Sequence, residues 1–205
     1  MAITKLDQMF EVLKSKSKKR LVAAYANDSH TIEAVSEAVD KGIVEGTLVG
    51  DEETMRKVCA QLGIDSGKFT LVHEPNESKA AVVAVNLINK GEGELLMKGL
   101  VSTDKYMKAI LNKETGLMDP GAVLSHVTVM ENPNYHKLLV VGDVAIIPLP
   151  EFKQKISILN YLVTTAKALG IEKPKVAVIS ASEQVLAGMP SCVDEIGRAS
   201  CRERV

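Results

Sequence analysis

Residues 98–107 read Lys-Gly-Leu-Val-Ser-Thr-Asp-Lys-Tyr-Met, and they join one glycine, two hydroxyls and two lysines in a single short stretch. Those are the residue types that hold an anion. The preceding Leu95, Leu96 and Met97 form an apolar run of strand type, while Tyr106, Met107, Ile110 and Leu111 follow a helical spacing. A strand therefore breaks through Gly99 into a helix, with Ser102, Thr103 or Asp104 available as the N-cap. The first N–H groups of a helix have no intrahelical acceptor, and the helix dipole adds positive potential there, so such a junction favours a bound anion. Lys98 and Lys105 would supply mobile positive charge of the kind that handles phosphate. Hydroxyl-capped strand-to-helix turns also occur throughout α/β domains without any ligand, so the elements around the junction must decide its meaning.

Those elements alternate. Over the first 120 or so residues, helix and strand patterns follow one another with short connections, which predicts an α/β fold: a largely parallel sheet with helices on both faces. The expected helices are 4–16, 29–41, 51–62, 77–90 and 103–113, and the expected strands are 20–25, 45–49, 69–73 and 95–98. Asn27, Asp28 and Ser29 offer a cap before Ile32, Val35 and Val39; Gly50 and Asp51 do the same for the next helix, and Gly42 and Gly63 stand where helices should end. Polar turns at the carboxyl ends of parallel strands collect on one sheet edge, where ligands of open α/β folds bind.

After Asp119, Pro120 and Gly121 the pattern changes. Two apolar strand candidates, 123–130 and 137–141, are separated only by Glu131-Asn132-Pro133-Asn134-Tyr135-His136. That spacing predicts an antiparallel element at the edge of the parallel sheet or leaving it. Gly142-Asp143, Pro148 and Pro150 mark a crossing. A helix over 151–169 follows, with Phe152, Ile156, Leu159, Val163 and Ala166 as its apolar stripe, and then a buried strand over 175–180. One helix and one strand cannot bury their own faces. The expected organisation is thus an N-terminal α/β domain over 1–145, the beginning of an incomplete second α/β domain over 146–194, and a tail over 195–205.

The tail has its own signature. Residues 196–205 show no apolar period and carry three of the chain's five arginines. The string matches one reading frame of a widely used short-read library adapter, so the expectation is a sequencing scar on a truncated frame, with natural sequence ending near Asp194. Setting it aside lowers basic residues from 25 to 22 and acidic ones from 26 to 25, and the net charge moves from −1 to −3.

Composition narrows the function classes. With 46% hydrophobic and 25% charged residues, the chain can bury a sizeable core and shows no field of one sign. Neither nucleic acid nor membrane is expected as a partner: the densest basic cluster, residues 14–20, reads as a solvated helix end, and no apolar run approaches the roughly 18 residues of a membrane span. The opening residues lead into an amphipathic helix rather than a signal peptide, so a cytoplasmic location is expected. Cys59, Cys192 and Cys201 have neither metal-site nor disulfide spacing, and Cys59 sits on an apolar helical pattern as a small core residue.

Other polar residues are read by their settings. His126 lies in an apolar strand, where a hydrogen-bonded structural histidine is expected. His136 follows the Asn-Pro-Asn-Tyr turn and is a candidate for facing a site. Asp143, after Gly142, suits a turn cap or a cleft wall, while Asn132 and Asn134 suit turn geometry. Arg20 and Arg56, the two arginines outside the tail, lie far in sequence from the 98–107 junction.

Taken together, residues 95–107, the runs Leu-Ser-His-Val at 124–127 and Pro-Asn-Tyr-His-Lys-Leu-Leu at 133–139, and Gly-Ile-Glu-Lys-Pro-Lys-Val-Ala-Val at 170–178 resemble the phosphate acetyl/butyryltransferase family, most closely its phosphate butyryltransferase branch. The resemblance runs from about residue 6 to 194. It implies two α/β domains with a site in the cleft between them, and reversible transfer of an acyl group between coenzyme A and phosphate. It implies acyl-CoA and phosphate as small-molecule partners, a homo-oligomer when full length, no metal in the transfer step, and no resident cofactor, coenzyme A being substrate or product. The catalytic Ser-Arg pair and Asp of the family would lie beyond this chain, leaving Lys98, Ser102, Thr103, Lys105 and His136 as substrate-binding candidates. The 205-residue chain alone is then expected to be inactive. Competing readings are a phosphate acetyltransferase, a non-catalytic module binding phosphate or coenzyme A, and a decarboxylating dehydrogenase, which would need a carboxylate cluster for a divalent metal that the sequence does not offer.

Overall fold

Strand β1 (Lys19–Ala24) feeds two cores at once, because successive side chains of a strand point to opposite faces. In the computed structural model, which describes residues 2–180, 184, 186–189 and 191–193, Val22 and Ala24 face one side and Ala23 the other. The tail at 195–205 lies outside the described residues. β1 pairs in parallel with β2 (Val44–Gly50) on one side and with β4 (Leu95–Lys98) on the other. β3 (Thr70–His73) adds in parallel outside β2, so the sheet order is β3-β2-β1-β4.

The helices divide between the faces as the alternation demands. Ala23 and Leu48 pack with Ile32 and Val35 of α2 (Ser29–Asp40) and with Met55 and Cys59 of α3 (Glu52–Leu62). Val22, Ala24 and Val49 pack with Ala80, Ala81, Ala84 and Val85 of α4 (Glu77–Asn89) and with Ala109 of α5 (Thr103–Ile110). Each fully buried aliphatic side chain contributes about 1.5–3 kcal/mol of transfer free energy, and the alanines of α4 let its backbone come close to the sheet. This is the expected largely parallel sheet with helices on both faces. Asp28, Asp51 and Asn76 cap α2, α3 and α4 through their side chains, and Gly63 closes α3 at φ +67°. α5 stops short of the expected residue 113, because Asn112 Oδ1 accepts the N–H groups of Glu114 and Thr115 and turns the chain. α1 (Asp7–Lys14) is likewise shorter than expected and buries no residue.

The chain divides into two compact units, residues 7–122 and residues 1–6 with 123–205. The division falls before the antiparallel pair, not at the Pro148 and Pro150 crossing. Ile3 N–H donates to Leu169 O at 2.8 Å and Leu6 N–H to Glu131 Oε2 at 2.9 Å, which ties the first residues to the second unit.

The second unit contains a two-stranded antiparallel sheet of β5 (Thr128–Met130) and β6 (Leu139–Val141), and α6 (Phe152–Ala168). Three expectations are corrected here. The strand expected over 123–130 is laddered only at its end, because Asp143 takes hold of Ser125 and His126. The expected stripe of α6 is displaced: Phe152 and Ile156 are 51% and 43% exposed, while Ile158, Ala166 and the following Leu169 are buried. That face meets Gly142, where an added Cβ would lie 2.6 Å from His126 O and 3.1 Å from Leu162 Cδ2. Residues 175–180 form no strand, since a ladder needs a neighbour and no described strand pairs with them.

Asp143 knots this unit together. Its Oδ1 accepts the N–H groups of Ala145 and Ile146 at 2.8 and 2.9 Å, and its Oδ2 accepts Ser125 Oγ–H and His126 N–H at 2.9 and 3.2 Å. Burial raises its pKa, but the four donors outweigh that and hold it at about 2, against an ordinary 3.8. Since the folded value is depressed, the stabilisation is complete above the ordinary carboxylate range and disappears as pH falls through about 2. Asp143→Ala should cost about 1–3 kcal/mol in urea unfolding at pH 7, and the gap from the unsubstituted chain should narrow as pH falls from 4 towards 2. A pH-independent gap would show that the carboxylate charge contributes nothing.

Candidate anion site at the sheet reversal

The order of the strands creates a crevice. From β1 the chain moves outward to β2 and β3, and then α4 carries it back past β1 to β4 on the opposite side. β1 and β4 are therefore neighbours whose following segments diverge to opposite faces, and such a reversal leaves room for a ligand beyond the strand ends. The 98–107 junction begins there, with Lys98 in register with Ala24.

Hydrogen bonding between the two strand ends continues past the ladder. Gly99 N–H donates to Ala24 O at 3.0 Å and Leu100 N–H to Tyr25 O at 2.9 Å, while Ala26 N–H returns to Val49 O of β2 at 2.9 Å. Tyr25 makes this possible by adopting φ +60°, a left-handed conformation uncommon for a bulky residue. Gly99 is required by the same closeness: a Cβ there would stand 2.6 Å from Tyr25 O and 2.8 Å from Ala24 O.

α5 starts from this anchored turn. Ser102 is its N-cap, with φ −62° and ψ 148°, but its exposed hydroxyl makes no capping bond. The caps of α2, α3 and α4 each accept the N–H of the third helical residue, and α5 lacks that bond at Lys105; among the described residues the N–H groups of Thr103 and Asp104 find no side-chain acceptor either. The Ser102 N–H is used. It donates at 2.7 Å to Oε1 of Glu77, the first residue of α4, whose Oε2 pairs with the Lys105 ammonium. Lys105, and then the Ser102 N–H, hold the Glu77 carboxyl below its ordinary range. Lys98 is exposed, with Nζ 3.5 Å from Gly99 O, and Tyr106 O–H donates to Leu96 O at 3.2 Å, tying α5 back to β4.

Four of the expected site residues, Lys98, Ser102, Thr103 and Lys105, are thus gathered at one helix start. His136 belongs to the other unit. It is exposed, packs its ring at 4.7 Å from Tyr135, and lines an open hollow of ≈ 570 Å³ with Lys5, Glu131 and Asn134. His126 is a structural histidine as read: its N–H goes to Asp143, and Nδ1 is 3.1 Å from Thr128 Oγ1. Asn132 Oδ1 accepts Asn134 N–H at 2.9 Å in a turn. Arg20 lies at the opposite end of β1, bonded to Gly91 O, and Arg56 is occupied by Glu52 and Ser66. Among the described residues no group of three or more His, Cys, Asp or Glu could hold a metal, and no helix is long and apolar enough to cross a membrane.

Sequence reasoning missed Glu77 and Tyr25. Glu77 carried only the signal of an acidic first-turn residue, and its partners lie 25 and 28 positions away. Tyr25 carried none, since nothing local asks for a positive φ.

Residues 5–81 and 68–200 match the family described as phosphate acetyl/butaryl transferase. This chain belongs to that family. The phosphate butyryltransferase of Clostridium acetobutylicum is 41% identical over 192 residues, covering 94% of this chain and 64% of the relative. The phosphate acetyltransferase of Thermotoga maritima is 36% identical over 185 residues, covering 90% and 62%. The chain therefore spans a little under two thirds of the length of these relatives. The crystal structure of a branched-chain phosphotransacylase from Enterococcus faecalis V583 has the same fold, with a TM-score of 0.76 over 91% of this chain and 65% of that one at 23% identity. In this member of the phosphate acyltransferase family, the reversal crevice is walled by backbone that a side chain at position 99 would push apart. Gly99→Ala should lower stability by about 1–3 kcal/mol in urea unfolding, and an unchanged midpoint would show that the turn moves freely.

Proposed function

We propose that this chain forms the greater part of a phosphate acyltransferase that moves a butyryl or similar short acyl group between coenzyme A and inorganic phosphate. The observation that carries the reading is the open start of α5 at the sheet reversal: unpartnered N–H groups at Thr103 and Asp104, an exposed Ser102 hydroxyl that makes no capping bond, and Lys98 and Lys105 beside them. The preference for butyryl over acetyl rests on the 41% identity to the Clostridium acetobutylicum phosphate butyryltransferase.

In the reaction, a phosphate oxygen attacks the thioester carbonyl carbon. The tetrahedral intermediate then collapses by breaking the carbon–sulfur bond. Acyl phosphate and the coenzyme A thiolate result, and the thiolate takes up a proton to become the free thiol. Catalysis of such a step depends on holding the two reactants together and on stabilising the oxyanion. On this reading Lys98, Ser102, Thr103 and Lys105 orient phosphate through charge and hydrogen bonds, and His136 is a further substrate-binding residue. Coenzyme A enters as substrate or product, not as a resident cofactor, and the remaining catalytic groups come from sequence that the longer relatives possess.

The test is an assay of thiol release from butyryl-CoA with phosphate, using the chain carried on to the length of its relatives. Butyryl phosphate should form, with kcat/KM for butyryl-CoA above that for acetyl-CoA, while the 205-residue chain alone should show little turnover. Lys98→Ala and Ser102→Ala should each raise KM for phosphate about 5–10-fold with a smaller change in kcat. No acyl phosphate from the extended chain would reject the reading. Binding of coenzyme A or phosphate without thiol release would point to a non-catalytic module.

A further inference from the structure

Lys105 occupies the third position of α5, where a cation is disfavoured by the positive end of the helix dipole. Left to itself, its flexible side chain would extend into water. Instead it is half-buried, with its ammonium held against Glu77; the two side chains are 41% and 27% exposed. An ion pair this exposed adds little to stability, so stability alone does not account for putting a lysine there and supplying a carboxylate from the neighbouring helix.

The manner of holding is informative. In a capping box the third helical residue accepts the N–H of the N-cap. Lys105 cannot accept, and Glu77 does so in its place, reaching across from α4 to the Ser102 N–H at 2.7 Å. One carboxylate thereby fixes both the backbone at Ser102 and the cation at Lys105. It draws on the N-cap N–H, the Ser102 hydroxyl and the Lys105 ammonium. The N–H groups of Thr103 and Asp104 and the other ammonium protons stay available, so Glu77 leaves donors for an incoming anion.

We propose that Glu77 is a positioning residue for phosphate binding, which holds the Lys105 ammonium beside the open first turn of α5 so that the cation is in place when phosphate arrives. The inference rests on the phosphate-binding reading above and adds to it a residue outside the junction itself.

The experiment is a titration of the 205-residue chain with inorganic phosphate, by calorimetry or phosphorus NMR, in the unsubstituted protein, Glu77→Gln, Lys105→Met and the double variant. Glutamine keeps an acceptor for the Ser102 N–H but loses the pull on Lys105. Glu77→Gln should weaken phosphate binding about 5–10-fold with an unchanged thermal midpoint, and in the Lys105→Met background it should have less than a twofold further effect. Equal losses in both backgrounds would make Glu77 a structural brace of the helix, and unchanged or tighter binding would make it a spectator or a competitor; each overturns the proposal. Should Glu77→Gln fail to fold, Glu77→Asp serves, because its shorter carboxylate releases Lys105, and unaltered affinity there counts against the proposal. Saturable binding with no coupling between positions 77 and 105 rejects this inference alone. No saturable binding by the unsubstituted chain rejects it together with the phosphate-binding reading.

Discussion

Backbone pairing at the end of β1 is the constraint from which the rest of the first unit follows. A strand with neighbours on both sides must satisfy its N–H and C=O groups in both directions. At Ala24, Tyr25 and Ala26 it does so by giving two carbonyls to the segment after β4 and one N–H to β2. Tyr25 bends into the left-handed region to allow this, at a cost of about 1–2 kcal/mol that three backbone bonds of about 0.5–1.5 kcal/mol each can offset. The turn at residues 99–102 inherits its place from that exchange, and so does the start of α5. Any side chain at position 99 would press on the same two carbonyls.

Charge at the crevice is arranged with few parts. Arginine is the usual bidentate clamp for phosphate, yet Arg20 and Arg56 are engaged elsewhere in the unit. What remains is backbone N–H, a hydroxyl and lysine, and lysine is a flexible point charge that needs a fixed neighbour to be placed. Glu77 is that neighbour. The same carboxylate links the starts of α4 and α5, the two helices that cover one face of the sheet, so the local electrostatics and the packing share one residue.

The second unit is organised differently. Its two-stranded sheet is too short to stand by itself, and its loops are gathered on the Asp143 carboxylate, while α6 lies against Gly142 through Ile158 and Leu162. Ser125, His126 and Asp143 lie together but form no nucleophilic triad: the aspartate bonds the serine directly and meets the histidine only through its backbone. The three serve the turn.

By itself the sequence determined the periodic parts. Apolar period, caps and glycine stops located five helices and four parallel strands of the first unit to within a few residues, because those signals act between near neighbours in the chain. The run 98–107 stood out for the same reason, its glycine, hydroxyls and lysines being contiguous. Tertiary structure decided everything that depends on distant partners. Strand order made Lys98 the neighbour of Ala24 and so turned a common junction into a crevice at a reversal. Packing against Gly142 chose which face of α6 is buried, and the absence of a described neighbouring strand left residues 175–180 without a ladder. Glu77 acquired its role only when folding laid α4 beside α5, since an ion pair between residues 28 positions apart leaves no periodic trace in the chain.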